Sequence, residues 1–263
     1  MGTAILSGML ASGYPAEKVT ITTKSQESAL KLSDELGVNT ISIESNSAAN
    51  HDAVAGADVV LVAVKPAYVV EVLKEASVKL EANALVISVA AGITTASMEA
   101  AVPATVAVVR SMPNTPAIVG RAVTGVSAGS RVSSEQLETV LDLFETVGRV
   151  VVLPEEQIDA LSTISGSGPA YVFYLIEQLT LAAQEMGFGE DVAAMLVEET
   201  FAGATELLSA SNQSPEALRK QVTSPNGTTM RAISVLKEAE LAKVFTRATE
   251  AALARAKEIA SGK

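Results

Sequence analysis

The run Val-Val-Leu-Val-Ala-Val at 59–64 decides how the first half of this chain folds. It is continuously apolar and rich in β-branched residues, which is typical of a strand buried on both faces of a parallel sheet. Helical patterns such as Ser25–Leu36 and Ser134–Thr146 lie between further runs of the same kind. Those runs are Val19–Thr23, Leu85–Val89, Val106–Arg110, Val123–Ser127 and Arg149–Leu153. Alternating strands and helices predict an α/β domain with a doubly wound, mainly parallel sheet.

The strand pattern stops near Pro154, and only helical patterns follow. They cover Glu156–Ile164, Pro169–Met186, Asp191–Ser209 and Thr229–Lys257. We therefore predict a nucleotide-binding domain over residues 1–153 and an all-helical domain over residues 154–263. The stretch Tyr171–Met186 is apolar around most of its circumference, which predicts a buried helix. Because so few helices cannot cover one another, we expect a partner subunit.

The chain opens with Met-Gly-Thr-Ala-Ile-Leu-Ser-Gly-Met-Leu-Ala-Ser-Gly, and no strand pattern precedes this segment. Its apolar residues Ala4, Ile5, Met9 and Leu10 have the spacing of one face of a helix. A doubly wound sheet begins with a central strand, a glycine-rich turn and a helix that receives a pyrophosphate. We expect that this strand and turn are missing and that the sheet has a gap with unpaired backbone groups. The alternative is a chain that closes the gap differently.

The composition excludes several classes of function. The net charge is −11 without a basic cluster, which argues against nucleic-acid binding. The absence of cysteine and the single His51, expected in a surface loop, argue against a metal site and a serine–histidine triad. No apolar run reaches the roughly 18 residues of a membrane span, and no secretory leader is recognisable. We expect a cytoplasmic protein whose chemistry relies on hydroxyls, carboxylates, lysines, backbone dipoles or an organic cofactor.

The carboxyl ends of the predicted strands carry small residues, where doubly wound sheets bind their ligands. Ala63, Val64, Lys65 and Pro66 follow one strand. Ala90, Ala91 and Gly92 follow the next, and Ser111–Pro116 follow a third. Small side chains let a flat ring or a ribose approach the backbone, although small residues and prolines also end ordinary strands.

The run Val19–Thr23 leads into Thr-Thr-Lys-Ser at 22–25. A site for NAD would place an aspartate or a glutamate near this position. Hydroxyls and a cation suit a 2′-phosphate instead, so we predict NADPH, with NADH as the alternative cofactor. Ser25 is equally suited to cap the following helix.

Two polar, glycine-containing islands interrupt the helical half, Ser165–Ala170 and Thr223–Thr229. Each leads into a helix, whose free N–H groups can bind a carboxylate. The hydroxyl of Ser224 or Thr229 could hydrogen-bond a substrate nitrogen. Ordinary helix capping explains either island equally well.

Taken together, these residues resemble pyrroline-5-carboxylate reductases over essentially the whole chain. Five motifs carry the resemblance: Ala-Val-Lys-Pro (63–66), Ala-Ala-Gly (90–92), Met-Pro-Asn-Thr-Pro (112–116), Ser-Gly-Ser-Gly-Pro-Ala-Tyr (165–171) and Thr-Ser-Pro-Asn-Gly-Thr-Thr (223–229). The resemblance implies a Rossmann-type domain followed by a helical dimerisation domain. It implies an interlocked homodimer through that helical domain, often built into a larger ring of dimers. It implies NAD(P)H-dependent reduction of 1-pyrroline-5-carboxylate to L-proline.

The resemblance also implies roles for single residues. Ser25 would lie near the 2′-phosphate and Asn50 near the adenosine, while Ala63–Pro66 and Ala90–Gly92 would line the nicotinamide half. Ser224, Gly227, Thr228 and Thr229 would bind the substrate, with Thr229 as the hydroxyl donor to its nitrogen. Only Met1 and Gly2 remain of the family's opening strand and glycine turn, and Gln221 stands where the family often has asparagine.

Two alternatives stay open at the level of sequence. One is an impaired helical dimerisation module attached to a damaged nucleotide domain, and the other is a reductase of a different cyclic imine. A protonated imine accepts hydride readily, so such an enzyme needs orientation more than a strong acid. A site without histidine and cysteine agrees with that chemistry.

Overall fold

The computed structural model describes residues 1–260, with side chains as far as Glu258. The strands are β1 (Thr20–Thr23), β2 (Asn39–Ser42), β3 (Val59–Val62), β4 (Leu85–Ser88), β5 (Ala107–Met112), β6 (Ala122–Ala128) and β7 (Gly148–Val152). The first helices are α1 (Gly2–Ala11), α2 (Gln26–Leu36), α3 (Ala49–Val54), α4 (Val69–Ala76), α5 (Thr95–Glu99) and α6 (Ser134–Glu145). The others are α7 (Glu155–Leu161), α8 (Gly168–Glu185), α9 (Glu190–Ala210), α10 (Pro215–Gln221), α11 (Thr228–Glu238) and α12 (Leu241–Ala260).

The strands form two sheets, as the predicted gap requires. A five-stranded sheet has the order β3-β4-β5-β6-β7, and β1 pairs with β2 in a separate parallel pair. Every pairing is parallel except that of β5 with β6. The connection between these two strands, residues 113–121, is too short for the crossover helix that a parallel pair requires. The prediction of a mainly parallel, doubly wound sheet is confirmed, and β2 is a strand that it missed.

Apolar clusters cover both faces of the five-stranded sheet. Alternate residues of β5 point to opposite faces, so that Val109 joins one cluster and Val108 the other. The first cluster includes Ile5 of α1 and Phe144 of α6, both essentially inaccessible to solvent. This arrangement fixes the helices on the sheet and places the strand ends at one edge.

The chain divides into two compact units, residues 1–167 with the end of α12 from Ala252, and Gly168–Ala251. The predicted domain boundary lies between residues 153 and 154, at the change in sequence pattern. The division into compact units lies between Ser167 and Gly168. In the second unit α8 has no buried residue in the single chain, although we predicted a buried helix. None of the helices in the described part of the chain is both long and apolar enough to cross a membrane.

Two local predictions are wrong. The single helix predicted over Thr229–Lys257 is interrupted between α11 and α12, because Glu240 adopts a left-handed conformation with φ of 47°. His51 lies in helix α3 and is half-buried rather than in a surface loop. Its Nε2 lies 2.9 Å from the carbonyl oxygen of Glu75, to which it donates a hydrogen bond.

Candidate active site

The start of α1 lies against the carboxyl end of β3. Helix α1 begins at Gly2, and no side chain caps it from Met1. A Cβ atom at Gly2 would lie only 2.9 Å from the Cβ of Ala63, so a larger residue would force the two segments apart. The structure therefore brings together Gly2 and the Ala63–Pro66 segment, beside helical N–H groups that suit an anion.

The Ala63–Pro66 segment is open to solvent. Ala63, Val64 and Lys65 are exposed, and Pro66 starts a 3₁₀ turn that ends at Tyr68. No bulky side chain of this segment is buried in the core of the fold. Its surface is thus free for a ligand.

The Ala90–Gly92 loop is built more rigidly. The buried Ala90 N–H donates to Ser88 Oγ at 3.2 Å, and Ser111 Oγ donates to the Ser88 carbonyl at 2.8 Å. Gly92 has φ of 76°, a left-handed conformation that favours glycine. The loop leaves Ala91 exposed at the edge of the sheet.

Ser25 caps α2, as one of the two interpretations predicted. Its hydroxyl oxygen accepts a hydrogen bond from Ser28 N–H at 3.3 Å. The neighbouring Lys24 ammonium lies 5.0 Å from the ring centroid of Tyr68, within the range of a cation–π contact. Lys24 is exposed, so its charge remains accessible next to the capped helix.

Asn50 has a structural partner of its own. Its side-chain amide donates to the Glu75 carboxylate at 3.3 Å, which ties α3 to α4. Among the described residues, no hydrogen bond joins Asn50 to Ser25. Its adenosine-side role stays a prediction.

The second unit carries the substrate residues that were predicted. The Gly227 N–H donates to the Ser224 carbonyl at 3.1 Å, and Asn226 between them has φ of 58°. A side chain at Gly227 would collide with the Ser224 hydroxyl. This tight turn delivers Thr228 and Thr229 to the first turn of α11, whose start has no side-chain cap. Thr229 is half-buried, and the free N–H groups around it suit a carboxylate.

Sequence reasoning missed a polar cluster behind the Ala90–Gly92 loop. Arg110 of β5 is buried, and it pairs with Asp159 and with Glu155 of α7. Glu155 in turn accepts hydrogen bonds from the backbone and hydroxyl of Thr95. The available signal was an arginine inside an apolar strand and two acids four residues apart on the helix that follows the last strand.

Asn114 connects a second pair of segments. Its amide donates to the Ser165 carbonyl at 2.9 Å, and its Oδ1 accepts from Val123 N–H at 2.9 Å. Ser165 belongs to a π-helical turn, Ser162–Gly166, that directly follows α7. Such turns are frequent at functional sites. In the described part of the chain, no group of three or more acidic or histidine side chains is placed to hold a metal ion.

Comparison with known proteins covers both halves of the chain. Residues 155–259 match the family model for pyrroline-5-carboxylate reductase dimerisation, and residues 1–92 match that for coenzyme F420-dependent NADP oxidoreductases. A pyrroline-5-carboxylate reductase of Corynebacterium melassecola is 38% identical over 262 residues, which are 98% of this chain and 95% of the relative.

Solved structures give the same picture. A pyrroline-5-carboxylate reductase from Coxiella burnetii superposes with a TM-score of 0.90 at 36% identity, covering 98% of this chain and 94% of that one. The Plasmodium falciparum pyrroline carboxylate reductase with NADP bound superposes with a TM-score of 0.84 at 27% identity, covering 99% and 94%.

Proposed function

Since this chain belongs to the pyrroline-5-carboxylate reductase family, we propose that the strand ends of its first unit bind the cofactor. We also propose that the start of α11, in its second unit, binds 1-pyrroline-5-carboxylate. The chain is an oxidoreductase that uses NAD(P)H and forms L-proline, the last step of proline biosynthesis. The whole-length similarity to reductases carries this conclusion, and it favours neither of the two alternative functions.

The residues at the sheet edge fit a nicotinamide dinucleotide. The uncapped start of α1, with Met1 and Gly2, suits a phosphate, and the exposed Ala63–Pro66 segment and Ala91 leave room for a flat ring. Bound NADPH would supply the hydride. Ser25 and the exposed Lys24 would hold the 2′-phosphate, which supports NADPH over NADH.

The residues of α11 orient the substrate. The free N–H groups of Thr228 and Thr229 at the helix start bind its carboxylate, with Ser224 and Gly227 shaping the turn that presents them. The substrate reacts as the protonated imine, and hydride addition to its carbon leaves a neutral amine whose nitrogen gains a lone pair. The Thr229 hydroxyl donates a hydrogen bond to that lone pair as it forms. Substrate orientation and this hydrogen bond are the contributions of the chain itself.

Replacement of Thr229 tests this assignment. We expect Thr229→Val, which keeps the shape but removes the hydroxyl, to lower kcat by about 100- to 1,000-fold, the usual range for loss of one oriented donor. Thr229→Ser should recover most of it. The measurement is NADPH oxidation with 1-pyrroline-5-carboxylate, and Thr139→Val, which removes a hydroxyl bonded within α6, is the matched control. Equal turnover by Thr229→Val and the unaltered enzyme would remove Thr229 from the mechanism.

The chain forms a homodimer through its helical domain. We extend the proposal to a ring of dimers, supported by the exposed apolar side chains that α8, α9 and α12 carry. Light scattering coupled to size-exclusion chromatography would give a mass of several dimers, and a mass of one dimer would contradict the ring.

A cytoplasmic location completes the proposal. It is supported by the lack of cysteine in the sequence, since a protein that works in a reducing compartment needs no disulfides. Cell fractionation should place the enzyme with other cytoplasmic dehydrogenases. Recovery outside the cytoplasm would contradict it.

A further inference from the structure

The Ala90–Gly92 loop is held at both of its ends. At its start, Ser88 and Ser111 fix the backbone through the two buried hydrogen bonds described above. At its end the chain passes through Thr94, which caps α5, to the buried Thr95. Thr95 donates to Glu155 twice, from its backbone N–H at 2.7 Å and from its hydroxyl at 2.6 Å. Motion of Glu155 would therefore displace the end of this loop.

Glu155 is itself fixed by Arg110. The side chain of Arg110 is only 4% exposed, and one guanidinium nitrogen lies 3.5 Å from Glu155 Oε1. Its other terminal nitrogen forms a short charge-assisted hydrogen bond to Asp159, one turn further along α7. One buried cation thus holds two carboxylates whose charges would otherwise repel each other.

The cost of such burial points to a role in the site. Arg110 Nε has no hydrogen-bond partner among the described residues, so the cluster is not arranged to satisfy every group. Buried ion pairs often contribute little net stability compared with apolar residues of similar volume. What they supply here is a defined geometry between β5, α7 and the start of α5.

We propose that Arg110 is a positioning residue for hydride transfer: through Glu155 and Thr95 it sets the Ala90–Gly92 loop against which the nicotinamide binds. This inference rests on the proposed function of that loop. Arg110 contacts neither cofactor nor substrate in the proposal, and its effect passes through the loop backbone. A misplacement of about 1 Å can lower a rate by up to about 100-fold.

Two variants and one matched control test the role. Glu155→Gln keeps the size of the side chain and one acceptor oxygen, and Arg110→Lys keeps the charge but loses the planar fork that reaches both acids. The control is Glu99→Gln, at the opposite end of the same helix α5. The Glu99 carboxylate accepts hydrogen bonds from Ser130 N–H at 2.7 Å and from its hydroxyl at 2.8 Å. The Glu99→Gln variant therefore loses comparable hydrogen bonds at a position away from the Ala90–Gly92 loop.

The measurements are kcat, KM for NADPH, thermal unfolding and the kinetic isotope effect with NADPH deuterated at the transferred position. We expect Glu155→Gln and Arg110→Lys to lower kcat by about 10-fold and to raise the isotope effect, because the chemical step becomes slower. Glu99→Gln should keep kcat within about twofold even if its Tm falls. The double variant Arg110→Lys/Glu155→Gln should lose little more than either single one, since the residues act as a unit.

A fall in Tm without a change in kcat or isotope effect in both Arg110→Lys and Glu155→Gln would overturn the positioning role and leave a structural one. In that case the unaltered enzyme still turns over, and the proposed function stands. Absence of NADPH-dependent turnover by the unaltered chain would overturn the proposed function, and the positioning role with it.

Discussion

The two compact units differ in how far they bury their apolar side chains. In residues 1–167 the strands and helices bury a core in which Val86, Val108 and Phe144 are fully inaccessible. Among the described residues of Gly168–Ala251, only Ala193 and Val197 are buried, while Phe173 is 66% exposed. The first unit thus completes its core within one chain, and the second presents apolar helices that a homodimer can cover.

The largest expected effect concerns the core of the first unit. Phe144→Ala should lower the free energy of unfolding of that unit by about 3–5 kcal/mol, because it leaves a cavity under α6. Urea unfolding followed by circular dichroism measures it. The control is Leu30→Ala on α2, where the side chain is 56% exposed, and it should cost less than about 0.5 kcal/mol. Similar losses in both variants would contradict the self-contained core.

The second expected effect concerns the exposed helices. Phe173→Asp places a charge on the apolar surface of α8 and should weaken dimerisation by about 2 kcal/mol or more, which is about 30-fold. Light scattering over a dilution series measures the dissociation constant. Val78→Asp introduces the same charge at a residue of the first unit that is 76% exposed, and it should leave the dimer intact. An unchanged dissociation constant in Phe173→Asp would remove α8 from the interface.

The smallest expected effect compares two helix caps, one in each unit. Ser133 forms a complete capping box on α6, and Ser214 accepts from Ala217 N–H at 3.1 Å at the start of α10. Ser133→Ala should lower the free energy of unfolding by about 1 kcal/mol, since α6 packs on the core. Ser214→Ala should cost less, because α10 has no buried residue and can fray independently. Urea unfolding compares the two, and a larger cost at Ser214 would reverse the ranking.

Prediction from the sequence succeeded where the pattern is long or strongly apolar. The run at 59–64 and its neighbours predicted six of the strands, within about two residues at their ends. The four-residue β2, Asn-Thr-Ile-Ser, was missed because it is short and mostly polar. The predicted helix Thr229–Lys257 was too long, since no proline or glycine marks the turn at Glu240.

The candidate site shows the same division. The small residues of Ala63–Pro66 and Ala90–Gly92 could be assigned to the sheet edge, because the carboxyl ends of parallel strands meet there. The Arg110 cluster could not, since its members come from β5, α5 and α7 and are brought together only by packing.

The sequence by itself determined the doubly wound class, the change to helices after Pro154 and the family, because these follow from local periodicity and from short motifs. Only the tertiary structure decided which polar groups pair across distant segments, and which apolar faces remain uncovered in one chain. Arg110 and Phe173 are the two examples. Burial and pairing depend on contacts between residues far apart in sequence, which no local pattern specifies.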